Sequence, residues 1–261
     1  MKSFLYCLYA EYLKIRKSKV LIGSILAFSL GPIMGAVFIV VLRNQELSDA
    51  NSAIRSKALL TGFSTDWGSY LNLIAQVMGV GGIIIIGFIA AWIFGREYSD
   101  GTLKDLFVLP ISRIKIILSK MTAIFIWGFF LAIAILILAL ILGTLLQLPG
   151  FSGQIFFNSI VKISIVTFLV LPLSTPVTFI ASIGKGYLAP LTFVILAIVI
   201  AQIIGALGFA SYFPWAVPGI YSQIIGSNNI LNFYSYLILY ITSFIGLSAT
   251  ILWWNYADQT K

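Results

Sequence analysis

Histidine does not occur in this 261-residue chain, and cysteine occurs once, at Cys7. The first absence removes the commonest general base and metal ligand, and with it most nucleophile–base and zinc-site designs for a hydrolase. The second excludes an internal disulfide framework. Charge is also scarce: 9% of residues are Asp, Glu, Lys or Arg, against about 25% in a soluble domain. No segment outside the apolar runs is large enough to present a basic face, so nucleic acid is not an expected partner. A phosphate-binding loop is missing too. Gly184-Lys185-Gly186 has Phe179 where the G-x-x-x-x-G-K-[ST] pattern needs glycine, and no Ser or Thr follows the lysine. No cofactor is expected on this chain, and any ATP hydrolysis must come from another polypeptide.

What is abundant is apolar surface. Hydrophobic residues make up 60% of the chain, too many to cover with polar groups, so the expected class is an all-α integral membrane protein. Six runs are long enough to span: 20–42, 71–94, 121–146, 163–183, 187–209 and 231–254. The first, without a charge, reaches about 34 Å as a helix against a hydrocarbon core of about 30 Å. It follows five basic residues and exceeds the short core of a cleaved signal peptide, so it is read as a retained span. One membrane domain, 1–261, accounts for the chain. With both ends on one side, that side carries Lys2, Lys14, Arg16, Lys17, Lys19, Arg96, Lys104, Arg113, Lys115, Lys120, Lys185 and Lys261. Only Arg43, Arg55, Lys57 and Lys162 lie opposite. The positive-inside rule then places both termini in the cytoplasm and attracts the chain to anionic lipid.

Two cytoplasmic elements follow. Within 1–19, Phe4, Leu5, Leu8, Tyr12 and Ile15 recur at helical spacing while Glu11, Lys14 and Lys17 fall elsewhere. This fits a helix lying in the interface, apolar side in the acyl boundary and lysines on headgroups; a plain extension of the first span is the alternative. Residues 95–120 hold eight charges between two apolar runs. Thr102 with Asp105 three residues on is a capping-box-like start, Pro110 a stop, and Ser112 a second cap leading into the third span. The short helix between bears Leu103, Leu106 and Phe107 at i, i+3, i+4. Those side chains either dip into lipid, pack under the spans, or dock in a groove of a partner subunit, with Lys104 and Asp105 as the rim. Arg113, Lys115 and Lys120 are expected to anchor the third span on lipid phosphate.

The run Arg96-Glu97-Tyr98, Gly101-Thr102-Leu103-Lys104, Leu109-Pro110-Ile111-Ser112-Arg113 and Lys120 resembles the first cytoplasmic loop of ATP-binding-cassette exporter permeases. The similarity is to the six-span bacitracin-resistance, sodium-extrusion and lantibiotic-immunity group, and it extends over the length of the chain. The resemblance implies that 95–120 is a coupling loop seated on a separate cytosolic ATPase, which holds ATP and Mg. It implies contact with that ATPase through Gly101, Thr102, Leu103, Lys104, Asp105, Leu106 and Phe107. Arg96 and Glu97, with Arg113, would anchor the inner ends of the spans, and Gly101 would permit the turn. A second permease protomer, identical or related, is implied as well, in a bacterial plasma membrane.

Inside the spans no ionisable side chain is expected near mid-depth, and Lys162 is expected to snorkel outward. Pro172 and Pro176 kink the fourth span, as a hinge or as a static bend. Gln76 and Gln202 are the amides deep in spans, expected to bond across helices or, alternatively, to line a pathway. The 210–230 segment, with Pro214, Trp215 and Pro218, is too short to cross and too apolar for a free loop, so it is expected to re-enter the outer leaflet. The 43–70 loop reads as a solvated connector. An exporter of antimicrobial peptides is the leading expectation for function. Sodium or lipid-like cargo, or a non-transporting scaffold, stand as alternatives.

Overall fold

The computed structural model describes residues 2–44, 63–108, 110–225 and 230–257. Most of the 43–70 connector, part of 210–230, Leu109 and the side chains of Lys104 and Phe107 lie outside the described set. The described residues are helical with no strand. An N-terminal helix α1 (Lys2–Arg16) turns at Ser18 into α2 (Lys19–Arg43). Next come α3 (Trp67–Ser99), the short α4 (Leu103–Val108) and α5 (Arg113–Leu145). The fourth long element is α6 (Gly153–Val170), a 3-10 turn at Leu171–Leu173, and α7 (Ser174–Ile183). Then follow α8 (Leu188–Ala206), two 3-10 turns, α9 (Val217–Tyr221) and α10 (Phe233–Tyr256).

Six of these are long and apolar enough to cross a membrane: α2, α3, α5, the α6–α7 unit, α8 and α10. They match the six expected runs; α3, α5 and the α6–α7 unit overshoot them by a turn or more, α2 and α10 agree within two residues, and α8 ends three residues short. At 33 residues each, α3 and α5 run about 50 Å and project beyond a core of about 30 Å. Hydropathy windows miss such ends because the extra turns carry Arg96, Glu97, Arg113, Lys115 and Lys120. The α3 and α6–α7 spans are the most enclosed, with 61% of their apolar window buried, while α2, α8 and α10 have 28% and present apolar faces outward.

Local chemistry sets the starts. Asp66 caps α3 by accepting from the Ser69 N–H at 2.8 Å, and Ser152 caps α6 through Ile155 N–H at 3.2 Å. Asn232 and Ser235 form a reciprocal capping box at α10. These bonds satisfy amide protons that the first turn leaves unpaired.

Helix α7 packs its backbone directly against α10. A Cβ on Gly246 would lie 2.5 Å from the Pro176 nitrogen and 2.7 Å from its Cα, so only glycine fits against that backbone. A polar seam runs alongside: Thr175 Oγ1 donates to the Ser243 carbonyl, Thr178 and Thr250 hydroxyls pair at 3.2 Å, and Trp254 Nε1 donates to Ser182 Oγ at 2.9 Å. Pro172 thus lies in a 3-10 turn and Pro176 in the first turn of α7, directly on this contact. Gly246→Ala should destabilise the protein by about 1–3 kcal/mol through overpacking. Thermal unfolding in detergent, with Gly23→Ala as control because nothing lies within 4 Å there, reads the difference.

At the end opposite the termini, Pro214 to Ile220 are buried between span ends, and the Trp215 ring meets Phe193 edge-on at 5.2 Å. Lys162 does not simply reach water: its Nζ donates to Asn72 Oδ1 at 2.6 Å and Gln223 Oε1 at 3.0 Å, tying α6 and α3 to this segment. Arg43 donates to the carbonyls of Leu146 and Thr65, closing the same end.

Candidate functional site

The chemistry of the chain concentrates where α1, α3, α4 and α5 meet, at the end that carries the N-terminus. Lys120 lies seven residues into α5, and its side chain is 0% exposed. Its ammonium donates to Glu97 Oε1 at 2.6 Å, Glu11 Oε1 at 2.9 Å and the Ile93 carbonyl at 3.4 Å. All three of its protons have acceptors. Lys14 adds a second cation, 2.7 Å from Glu97 Oε1 and 3.3 Å from Glu11 Oε1. The other Glu97 oxygen accepts from Thr102 Oγ1 at 2.5 Å.

The cluster is neutral in sum: Glu11 and Glu97 against Lys14 and Lys120. An isolated ion at such a site would face a desolvation cost of several kcal/mol, which close opposite charge and filled hydrogen-bond positions offset. Geometrically its charged groups join three helices, α1, α3 and α5, and the Thr102 hydroxyl ties in the turn before α4. No group of three or more potential metal ligands occurs among the described residues. Burial, and then the Glu11 carboxylate, push the nearby Cys7 thiol up despite Lys115 and Lys120, so it is protonated at neutral pH.

The expectations for Lys120, for the α1 charges and for the Thr102–Asp105 cap are corrected here. Lys120 does not reach lipid phosphate; it is the centre of the cluster. Glu11 and Lys14 do not point away from the packed side of α1; Glu11 is 5% exposed, and the Leu5–Tyr12 flank faces outward. Arg113 donates to the Trp254 carbonyl and, at 3.2 Å, that of Asn255, linking α5 to the end of α10. Lys115 donates to Ser3 Oγ at 3.3 Å. Arg96 pairs with Asp100 at 3.0 Å and lies over the Trp92 ring. Thr102 and Asp105 make no capping box: the Thr102 hydroxyl goes to Glu97, while its carbonyl accepts from Leu106 N–H at 3.2 Å.

The α4 segment is therefore keyed inward by two residues. Thr102 holds Glu97, and Leu103, 5% exposed, joins the hydrophobic core. Leu103 belongs to the chain's own packing and is not a free knob. Leu106 is half-buried, Asp105 exposed and Val108 85% exposed. Gly101 makes the turn with φ +69°, a left-handed conformation that side chains disfavour. The expected cross-helix bonds of Gln76 and Gln202 are not found. Gln76 is half-buried, Gln202 is exposed on the outer face of α8, and neither makes a hydrogen bond among the described residues.

Six helices long and apolar enough to cross a membrane, with a short helix keyed to an ion joint at one end, define a multi-pass membrane protein. Residues 7–205 match the ABC-2 family transporter protein family, three quarters of the chain, and the chain belongs to that family. It is 27% identical to the bacitracin transport permease protein BCRB of Bacillus licheniformis over 177 residues, covering 68% of this chain and 85% of that protein. It is accordingly a permease subunit of an ATP-binding-cassette transporter, a class whose ATPase is generally a cytosolic partner.

Proposed function

We propose that this permease exports amphipathic antimicrobial peptides from a bacterial plasma membrane, driven by a cytosolic ATPase that docks on α4. The observation that carries the reading is the joint behind α4. A push on Leu106, Asp105 and Val108 is delivered through Thr102 to Glu97 and thence to α1, α3 and α5 at once. Such a junction converts ATPase closure into a shift between packed arrangements of spans. ATP and Mg belong to the partner, and this chain supplies the lever. The substrate class rests on the apolar spans and on the named cargo of the relative. A dimer of permeases would place the pathway between protomers, with Gln76 as a candidate contact.

Cytoplasmic termini are part of the proposal, supported by the cation asymmetry. A reporter fused after Lys261 that is active only inside the cell fits it; activity only outside refutes it. The substrate is tested by co-expressing the chain with its ATPase and challenging cells with bacitracin, a lantibiotic and high sodium. Protection against the peptides alone is expected. Protection against sodium alone would replace the peptide assignment.

A further inference from the structure

We propose that an anionic phospholipid occupies a groove between α1, α2 and α5, its acyl chain inside and its phosphate on Arg16. The groove has a volume of about 660 Å³ and is walled by Leu8, Leu21, Ala123, Ile126, Trp127 and Phe130. That size falls in the roughly 300–1,000 Å³ range of small-ligand sites. Its depth is fixed by a hydrogen bond: Trp127 Nε1 donates to Ser24 Oγ at 3.1 Å. Ser24 is five residues into α2, about 8 Å from its start, so the walls lie just inside the zone where headgroups give way to acyl chains.

Oblique packing of α1 on α5 makes the wedge. Ser3 meets Lys115 and Glu11 meets Lys120, so eight residues of one helix span five of the other. Two helices diverging in this way leave an apolar cleft that no described side chain of the protein fills. Its mouth is amphipathic in the sense a phospholipid requires. Arg16, Tyr9 and Tyr12 border the groove and are exposed. Arg16 and the following Lys17 and Lys19 have no carboxylate partner among the described residues, whereas Lys14 is committed to Glu11 and Glu97. A guanidinium offers paired donors to phosphate, and phenol hydroxyls suit ester carbonyls. The occupant must therefore be long and apolar at one end and anionic at the other. Seated there, it would brace α1, which carries half of the buried charge joint, against the spans.

The test is titration of the full-length detergent-solubilised protein with brominated-acyl phosphatidylglycerol, read as tryptophan quenching. A saturable component is expected, absent from Trp127→Phe and shifted roughly five- to tenfold to higher lipid fraction in Arg16→Gln. Brominated phosphatidylcholine should require a similarly higher fraction in the parent protein. Size-exclusion profiles matching the parent establish that both variants fold. Equal, non-saturating quenching by the two lipids overturns the proposal, as does a saturable component that survives Trp127→Phe. Displacement of the brominated lipid by bacitracin would assign the groove to peptide and overturn it as well.

Discussion

Lys120→Met should be among the most damaging single substitutions in the chain, lowering stability by about 3–5 kcal/mol and the folded yield with it. The methionine has similar length and apolar character, so packing around Ile116, Ile117, Ala123 and Ile124 is kept. What is lost is the cation that meets both Glu11, 5% exposed, and Glu97, 1% exposed. Lys14 remains near them, but its side chain is 29% exposed and supplies one positive charge for two carboxylates. Glu11→Gln with Glu97→Gln in the Lys120→Met background removes the uncompensated charge, and should recover most of the thermal midpoint. Recovery follows because no fully buried charge is then left without a partner, and the remaining Lys14, 29% exposed, can turn to water. The comparison also separates stability from coupling. The triple variant should fold and bind the ATPase, yet give no protection, because Thr102 no longer joins a charged junction shared by three long elements. A single Lys120→Met variant as stable as the parent would remove the cluster from the centre of the mechanism.

The spans were legible in the sequence because twenty-residue apolar runs leave no other interpretation in a chain with so few charges. The apolar, proline-broken character of 210–230, too short to cross, was legible for the same reason. The buried stretch from Pro214 to Ile220 follows from that. The charge cluster is not legible in any one segment, although each of its charges carries a signal. Lys120 sits three and four residues from Ile116, Ile117, Ala123 and Ile124, inside the buried stripe of its helix and not beside it. Glu97 likewise follows Ile93 and Phe94, and Glu11 precedes Ile15. Three lone charges of both signs, each in register with an apolar stripe, have to find one another. Which ones meet depends on tertiary packing that no local window contains. The inward turn of Leu103 was equally hidden: an i, i+3, i+4 pattern identifies a face but not whether its own protein or a partner covers it. The partners of Lys162 were not legible because snorkelling considers only the bilayer, while Asn72 and Gln223 arrive from elsewhere in the chain.

Leu106→Asp combined with Phe107→Asp should abolish co-purification of the ATPase while leaving the permease folded. Among the described side chains of α4, Asp105 and Val108 are exposed beside Leu106, and this flank is open to a second subunit. Placing carboxylates at the centre of a protein–protein contact removes anchors that each contribute about 2 kcal/mol or more, together several hundredfold or more in affinity. Leu103→Ala is the necessary contrast. Its side chain is in the core, so truncation should cost about 2–5 kcal/mol of stability and lower the thermal midpoint. Whatever Leu103→Ala protein survives should still bind the ATPase. The two variants thus exchange phenotypes: one stable and unbound, the other unstable and bound. Asp105→Lys, at the rim, should change the salt dependence of pairing more than its strength. Unchanged ATPase binding by the Leu106→Asp, Phe107→Asp protein would show that α4 is not the contact, and would leave the buried joint without an input.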